Sequence, residues 1–205
     1  MADFDEKAAT WDDNPVRVDR AEAIAKTLAT RIDLSAVKQA MEYGSGTGLL
    51  SFALKDWLAN IVLIDESQNM IDIAKEKCEA MSVSHFEPLK YDLLKQPLPE
   101  YKFDLIFILL TLHHIQDTNV ILEKFHHLLN PNGYLAIIDL EKEDGSFHEH
   151  NTHFHNGFER AALEEQLEKS GLKPISYEVC YELERDYDDI KQKYPLFLLV
   201  SQKQD

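Results

Sequence analysis

Hydrophobic residues follow two alternating periods along the chain. From Val18 to Ile32 they recur at three- and four-residue steps, which indicates an amphipathic helix. Farther on, short continuous apolar runs alternate with segments of helical periodicity. Continuous runs are typical of strands that are covered on both faces. The pattern predicts an α/β fold with a doubly wound, Rossmann-like sheet and helices on both faces.

Seven segments are predicted to be strands. They span residues 40–43, 61–64, 85–91, 103–111, 134–140, 175–183 and 196–201. The charged segment between the last two is too short for a parallel crossover, so this pair should be antiparallel. Leu50, Leu54 and Trp57 are expected on the inward face of the helix after the first strand. Ser67 is expected to cap the next helix.

The sequence predicts a single domain over residues 1–205, because it contains no internal repeat, low-complexity tract or linker. Residues 1–16 are polar with two isolated aromatic residues, Phe4 and Trp11, and are expected to form an arm that lies on the domain. A polar, histidine-rich loop over residues 141–156 follows the fifth strand.

Composition limits the classes of partner. The formal net charge is −16, from 37 acidic and 21 basic residues, so no nucleic-acid partner is expected. A solvated acidic surface explains this charge more simply than recognition of a basic substrate. The longest apolar run, residues 105–112, is too short for a membrane span, and the acidic amino terminus lacks signal-peptide features, so a cytoplasmic protein is expected. Cys78 and Cys180 have no motif spacing and are expected to be buried free thiols.

One stretch of glycines gives the first sign of a binding site. Gly44, Gly46 and Gly48 lie between the first strand and the helix after it. Glycine accepts positive φ and lets a ligand approach the backbone closely, and the free N–H groups at a helix start bind polar groups. A tight turn without a ligand is the alternative. The spacing differs from the dinucleotide fingerprint Gly-x-Gly-x-x-Gly.

Acidic residues end the next two strands at the same predicted edge, where doubly wound sheets bind their ligands. Asp65 can accept both hydroxyls of a ribose, and capping of the next helix is the alternative. Asp92 can accept a proton from an exocyclic amine or be a plain turn residue. Glu42, nearly enclosed before the glycines, requires a cationic partner. Met70 either covers an adenine face or packs in the core.

Together these motifs resemble those of the class I S-adenosylmethionine-dependent methyltransferases, in the small-molecule branch that includes ubiquinone and menaquinone biosynthesis enzymes. The resemblance covers residues 38–140 and rests on an ordered series of motifs. The series comprises Glu42-x-Gly44-x-Gly46-x-Gly48, Asp65, Asp92, Phe103-Asp104-Leu105-Ile106 and Leu129-Asn130-Pro131-Asn132-Gly133-Tyr134. It implies a seven-stranded, mostly parallel sheet whose last strand inserts antiparallel.

The resemblance also implies a set of cofactor-binding residues. They are Glu42, Gly44, Ser45, Gly46, Gly48, Asp65, Glu66, Met70, Asp92, Leu93, Leu110 and Thr111. The three glycines would line the methionine and ribose part of the cofactor, and Asp65 would hold the ribose hydroxyls. Asp92 and the backbone of Leu93 would hold the adenine. Glu42 would lie near the methionine amino group, while Leu110 and Thr111 would form the wall beneath the sulfonium.

Two departures from subclasses of this family narrow the acceptor. Residues 110–113, Leu-Thr-Leu-His, replace the Asn/Asp-Pro-Pro-Tyr/Phe motif of amino-directed nucleic-acid and glutamine methylases, which disfavours that subclass. Metal-dependent catechol-type enzymes require an aspartate where this chain has Thr111. Because threonine cannot replace that aspartate as a ligand of a hard cation, no magnesium is expected.

Histidines supply the candidate catalytic residues, because an in-line methyl transfer needs a base only when the acceptor must lose a proton. The candidates are His148 and His155 in the loop and His114 after the fourth strand. For the whole loop set, which also contains Glu149, His150 and His153, a solvated loop is the main alternative. A metal site there is not expected, because the spacing lacks a helical i, i+4 pair and no cysteine is near. Packing or hydrogen bonding is the alternative for His113 and His114.

The sequence therefore predicts an enzyme that transfers a methyl group from S-adenosylmethionine by in-line displacement to an oxygen, nitrogen or carbon atom of a small molecule and releases S-adenosylhomocysteine. A non-catalytic cofactor-binding or regulatory protein is the alternative, and the glycine spacing disfavours a nicotinamide-dependent oxidoreductase. No metal and no membrane span are expected, and the chain should be a monomer or homodimer. Residues 1–16, with Arg17 after them, are expected to close over the cofactor.

Overall fold

The computed structural model describes residues 2–148, 153–187 and 190–204, and these residues contain one seven-stranded sheet. The strands are β1 (Ala40–Tyr43), β2 (Ile61–Asp65), β3 (Phe86–Lys90), β4 (Phe103–Leu109), β5 (Leu129–Leu140), β6 (Leu172–Tyr187) and β7 (Ile190–Lys203). Their order in the sheet is β3-β2-β1-β4-β5-β7-β6. The first five pair in parallel, and β7 lies antiparallel between β5 and β6. The predicted fold class is confirmed.

Helices cover both faces of this sheet. They are α1 (Ala2–Lys7), α2 (Pro15–Arg31), α3 (Leu49–Ala53), α4 (Gln68–Ala80), α5 (Thr118–Leu128) and α6 (Arg160–Lys169), with 3₁₀ turns at Ala8–Asp13, Leu34–Ala36 and Leu112–His114. The Ser67 side chain accepts a hydrogen bond from the backbone of Met70 at 3.2 Å, which confirms the predicted cap of α4. None of the described helices is both long enough and apolar enough to cross a bilayer.

The core consists of two hydrophobic clusters, one on each face of the sheet. Neighbouring residues of one strand belong to different clusters: Ala40 packs with α2 and α3, whereas Met41 packs with α5 and α6. Successive side chains of a strand point to opposite faces, so a strand buried on both faces requires apolar residues at most of its positions. This requirement explains the continuous apolar runs in the sequence.

Two predictions about the elements are wrong. Trp57 is 43% exposed because α3 ends at Ala53, before the helical face reaches it. The charged segment between the last two predicted strands does not separate them, because β6 and β7 pair as far as Tyr187 and Ile190. The far part of this hairpin carries cross-strand ion pairs such as Lys193–Glu182, at 2.5 Å, in place of apolar residues. It therefore lacks the hydrophobic signal of a strand.

The two cysteines also differ from their prediction. Both are free thiols, as expected, but Cys78 and Cys180 are only partly buried. Burial raises the pKa of the Cys180 thiol to about 12, so the thiol stays protonated at neutral pH.

Candidate functional site

The glycine turn lies at the carboxyl end of β1, where the chain passes from strand to helix. The backbone N–H groups of Gly44 and Ser45 both donate to the carbonyl of Ile64, at 2.8 and 3.0 Å, and fasten the turn to β2. Gly44 has φ +68°, and a Cβ there would lie 2.3 Å from the side chain of Thr111. The ends of β1 and β4 can therefore approach this closely only because residue 44 is glycine.

The other two glycines serve different purposes. A Cβ on Gly48 would lie 2.6 Å from the side chain of Leu63, so this glycine permits close packing inside the protein. A Cβ on Gly46 would meet nothing closer than the sulfur of Met70, at 3.8 Å, and Nε1 of Trp11, at 4.0 Å. Gly46 is thus the one of the three that close packing does not require, and its backbone is partly exposed. A ligand could approach the backbone at this glycine.

Asp65 at the end of β2 faces the same space. Its Oδ2 accepts from the backbone of Gly46 at 2.7 Å, and its Oδ1 accepts from the backbone of Ser67 at 2.8 Å. A carboxylate oxygen has two lone pairs, so each oxygen keeps capacity for another donor, such as a hydroxyl. Burial raises the pKa of Asp65. A ligand hydroxyl that donated a hydrogen bond to the carboxylate would lower this pKa again.

Glu42 lies beneath the turn and is almost fully buried, with 2% of its surface exposed. Its carboxyl group accepts hydrogen bonds from the hydroxyl and the backbone N–H of Ser51, the latter at 3.1 Å. Burial raises the pKa of Glu42 to about 8, although the bonds from Ser51 and the charge of Lys77 act against it. Glu42 was predicted to need a cationic partner. In the structure Ser51 supplies its hydrogen bonds, and the nearby charge of Lys77 lowers its pKa only in part.

The remaining predicted cofactor residues lie along the same edge. The backbone of Tyr91 donates to the carbonyl of Asp65 at 2.9 Å, which brings the end of β3, and Asp92 after it, beside the end of β2. Desolvation would raise the pKa of Asp92, but hydrogen bonds from Lys95 and the backbone of Leu94 outweigh it and lower the pKa. Leu93 is fully buried.

The wall after β4 includes a residue in a strained conformation. Leu110 has φ +51°, which is uncommon for a residue other than glycine, and its N–H donates to the carbonyl of Ile138 at 2.8 Å. Thr111 follows, and its hydroxyl lies 3.3 Å from the carbonyl of Gly44. Strain of this kind is concentrated at functional sites, where the surrounding fold enforces it.

Three predicted cofactor residues differ in burial. Ser45 and Met70 are buried, whereas Glu66 lies at the surface with its carboxylate 3.7 Å from Lys95. Burial of Met70 agrees with both alternatives for it, because its sulfur also lies near Gly46.

The arm is helical and lies on this edge. Asp12 accepts a hydrogen bond from the hydroxyl of Thr47 at 2.5 Å and forms an ion pair with Lys77 at 2.6 Å. The side chain of Asn69 donates to the carbonyl of Asp5 at 3.1 Å. Arg17 stacks over Trp11, 3.7 Å from the ring centre. The arm thus contacts the glycine turn and the start of α4.

A cluster of histidines lies next to the strand ends. Nδ1 of His113 is 2.6 Å from Oδ1 of Asp139, and both side chains are fully buried. The ring centres of His113 and His114 are 4.1 Å apart, and that of His148 lies 4.9 Å from His113. His153 stacks on His148 at 4.0 Å. Residues of the loop after β5 therefore join two residues that follow β4.

The three candidate catalytic histidines have different environments. Burial, followed by the nearby histidines, lowers the pKa of His148 to about 3. Nε2 of His155 lies 2.9 Å from the carbonyl of Ile115, so this nitrogen is engaged by the backbone. His114 is within ring contact of both His113 and His148. Glu149 and His150 lie outside the described residues.

Three arginines lie near one another and near the histidine cluster. Arg17 and Arg20 belong to α2, and Arg185 belongs to β6. The Arg31–Glu178 pair, with Nη2 2.8 Å from Oε2, joins α2 to β6. Arg20 of α2 lies close enough to Arg17 and to Arg185 of β6 for their charges to act on its guanidinium. Arg185 stacks over Phe147 at 4.1 Å, and the Phe147 ring lies 4.8 Å from that of His148.

Arg20 is the most enclosed of these arginines. Its Nε is buried and has no hydrogen-bond partner within the described part of the chain. Burial, together with the positive charges of Arg17 and Arg185, lowers the pKa of Arg20 to about 10. Like charges converge here on a chain whose net charge is strongly negative.

Residues 41–137 match the family model for a methyltransferase domain. The match contains the glycine turn, the acidic strand ends and the wall after β4. With the strand order and the relatives described below, it supports the predicted class I S-adenosylmethionine-dependent methyltransferase family. The predicted family is confirmed.

Two relatives and one solved structure illustrate the similarity. An uncharacterized methyltransferase of Schizosaccharomyces pombe is 33% identical over 115 residues, which are 53% of this chain and 40% of that protein. A demethylmenaquinone methyltransferase of Oceanobacillus iheyensis is 23% identical over 176 residues, 84% of this chain and 73% of that protein. This chain thus spans less than half the length of the yeast relative.

The structure is the complex between the Haloferax volcanii Trm112 methyltransferase activator and the putative methyltransferase. Its TM-score is 0.82 at 19% identity, and the alignment covers 98% of both chains. At this identity the likeness concerns the fold.

The sequence interpretation missed three features of the site. They are the pairing of Asp139 with His113, the attachment of the arm through Asp12, and the arginines on α2 and β6. Only the pairing of Asp139 could have been predicted from the sequence. Asp139 lies inside an apolar strand, and a buried acidic residue must have a polar partner. Contacts between distant segments gave no such signal.

Proposed function

We propose that the chain transfers a methyl group from S-adenosylmethionine to a small molecule by in-line displacement. One observation carries the proposal: the partly exposed backbone of Gly46 donates to the Asp65 carboxylate, at the strand edge where this family binds its cofactor. The small-molecule acceptor is supported by the absence of the Pro-Pro motif in residues 110–113.

The residues present fit this cofactor. Bound S-adenosylmethionine would supply a methyl group on a positively charged sulfur, which is a good leaving group. Asp65 has acceptor capacity for two hydroxyls, Gly46 permits close approach, and Met70 offers an apolar surface above it. The carboxyl group of Glu42 would face the methionine ammonium, and that positive charge would favour its ionised form. The arm would exclude water from the bound cofactor.

The histidine cluster supplies the base where the acceptor must lose a proton. His114, His148 and His155 are the proposed residues. In the present arrangement His148, with a pKa of about 3, is a weak base, and one nitrogen of His155 is engaged by a backbone carbonyl. An acceptor that already carries a lone pair needs only alignment.

The acceptor carries an anionic group in this proposal. Arg20 has an unpartnered, buried Nε, and Arg185 lies one ring from His148. A carboxylate or phosphate on the acceptor would relieve the repulsion between these cations and complete their hydrogen bonds. Replacing Arg185 with glutamine should raise KM for such an acceptor about 10- to 100-fold, as expected when a charged hydrogen bond is lost. Arg160→Gln, which removes a similar stacked arginine over Tyr177, is the matched control.

Two experiments test the proposed function. Calorimetry with S-adenosylhomocysteine measures cofactor binding, and binding of a nicotinamide cofactor in its place would overturn the proposal. Turnover of methyl-labelled cofactor against a metabolite library sorted by charge then identifies the acceptor. Tight binding without turnover of any class would favour a non-catalytic, regulatory protein.

We propose as well that the protein is a monomer or a homodimer. The structural neighbour from Haloferax volcanii is described in complex with a Trm112 activator. Light scattering of the purified chain, alone and with such an activator protein, distinguishes the two arrangements. If the chain alone showed no turnover and addition of the activator produced it, the active form would be a heterodimer and not a monomer or homodimer.

A further inference from the structure

Three histidines that are far apart in sequence offer ring nitrogens to one point. His113, His114 and His148 each provide a ligand atom, and these atoms all lie within 4.8 Å of one another. The first two follow β4 and the third comes from the loop after β5. The absence of an i, i+4 pair, which disfavoured a metal site in the sequence, therefore does not apply to this set.

His113 is prepared as a ligand by its surroundings. Oδ1 of Asp139 accepts a hydrogen bond from Nδ1–H of His113, and Oδ2 of Asp139 accepts one from the backbone N–H of His113 at 3.2 Å. This pairing leaves the lone pair on Nε2, the second ring nitrogen. A carboxylate that orients a histidine from behind in this way is a common feature of zinc sites.

The nitrogen left free on His113 is buried and unsatisfied. Nε2 has no hydrogen-bond partner among the described residues, although only 1% of His113 is exposed. A buried polar atom without a partner is costly, and such atoms in native proteins point to an ion or water that completes them. Nδ1 of His148 is in the same condition. Two orphaned nitrogens thus lie in one cluster.

We propose that His113, His114 and His148 bind one zinc ion on the acceptor side of the site. Three neutral imidazoles are a ligand set that zinc favours, at about 2.0–2.1 Å from each nitrogen. Nitrogens at the corners of a tetrahedron of that size are roughly 3.4 Å apart. The widest pair must therefore close by roughly 1.4 Å, a distance that side-chain rotation of His148 can supply.

Three protein ligands leave one corner of the tetrahedron open, as in catalytic zinc sites. If the proposed methyl transfer holds, an acceptor hydroxyl or thiol can occupy that corner. Coordination would lower the pKa of the acceptor, its proton would pass to solvent, and the resulting anion would be the nucleophile. With zinc bound, the acceptor would be an oxygen or sulfur nucleophile. His114 and His148 would then be metal ligands instead of bases, which leaves His155 as the candidate base.

The test measures metal binding alone, on full-length protein without a polyhistidine tag. Elemental analysis after dialysis against zinc should give one ion per chain, and cobalt(II) substitution should give the intense visible bands of a four-coordinate site. His148→Ala should abolish both signals, while His127→Ala, which removes an exposed histidine of α5, should preserve them. His148 lies in a loop, so its replacement spares the buried core, and circular dichroism verifies the fold.

Each outcome decides the proposal. Unchanged metal content in His148→Ala, weak octahedral cobalt bands, or equal loss in His127→Ala would each overturn it. Calorimetry with S-adenosylhomocysteine on the same samples keeps the two proposals separate, because the cofactor site does not include His148. Cofactor binding without zinc binding would refute the metal site and leave the methyltransferase proposal intact.

Discussion

Replacement of Glu42 with glutamine tests whether a buried carboxyl group beneath the glycine turn makes the fold sensitive to pH. Glutamine has the shape of the protonated side chain and can accept the same hydrogen bonds from Ser51. Burial raises the pKa of Glu42 from 4.5 to about 8 in the folded protein. The unfolded chain should titrate near the ordinary value.

The sign of the effect follows from these two pKa values. Below about pH 4.5 both states are protonated, and the contribution of Glu42 to stability is complete. As pH rises toward 8, the unfolded state loses its proton while the folded state keeps it, so stability falls. The slope is about 1.4 kcal/mol per pH unit. The slope falls to half of this value at pH 8, where the folded state is itself half ionised, so between pH 6 and pH 8 the wild type should lose about 2 kcal/mol more than Glu42→Gln.

Urea denaturation at several pH values between 5 and 9 measures this difference directly. The free energies of unfolding of wild type and variant should diverge with pH, and the variant should be relatively more stable in alkaline buffer. Glu100→Gln, which removes an exposed carboxyl group, should follow the wild-type profile. Parallel profiles for wild type and Glu42→Gln would show that Glu42 is ionised in the folded protein and would refute the reasoning.

Three further predictions concern the cofactor edge. Asp65→Ala should weaken S-adenosylhomocysteine binding by about 2 kcal/mol, or about 30-fold in Kd, because charged hydrogen bonds are lost; calorimetry measures it. Gly46→Ala should lower that affinity at least tenfold, because a Cβ enters the ligand space. It should cost only about 1 kcal/mol of stability for its positive φ, because no atom lies within 3.8 Å. Deleting residues 1–14 should weaken cofactor binding and slow turnover, because the contacts of Asp12 with Thr47 and Lys77 hold the arm over the turn.

Controls separate these effects from general damage. Gly171→Ala has the same kind of backbone strain, with φ +76°, but lies away from the site, so it should leave cofactor affinity unchanged. Equal losses of affinity in Gly46→Ala and Gly171→Ala would mean that strain alone is responsible. Unchanged affinity in Asp65→Ala would remove Asp65 from the site. An arm deletion that binds and turns over normally would leave the arm without the proposed role.

The positions of helices and strands were predicted well where a single local feature, such as an apolar run or a capping residue, sets the boundary of the element. The strand at Ala40–Tyr43 coincides with its prediction, because burial on both faces favours a short run that is apolar except at Glu42, whose carboxyl group is hydrogen-bonded to Ser51. Ser67 caps α4 as predicted, because capping depends on residues three positions apart. Trp57 escaped prediction because the length of α3 is limited by neighbouring elements and not by its own periodicity.

The candidate cofactor edge was also predictable, since parallel strands bring their carboxyl ends together without further information. The different purposes of Gly44, Gly46 and Gly48 were not. Their neighbours are Thr111, Trp11 and Leu63, which come from three separate parts of the chain. Sequence specified three glycines, and the fold decides which of them faces a ligand.

By itself, the sequence determined the fold class, the family and the edge of the sheet that holds the site, because these depend on periodicity and on local motifs. Only the tertiary structure shows which side chains face one another at that edge of the sheet. The His113–Asp139 pair, the approach of His148 and the convergence of Arg20 with Arg185 each join residues from different elements. A charge or lone pair becomes chemically informative only when its partners are known, and in this chain those partners are distant in sequence.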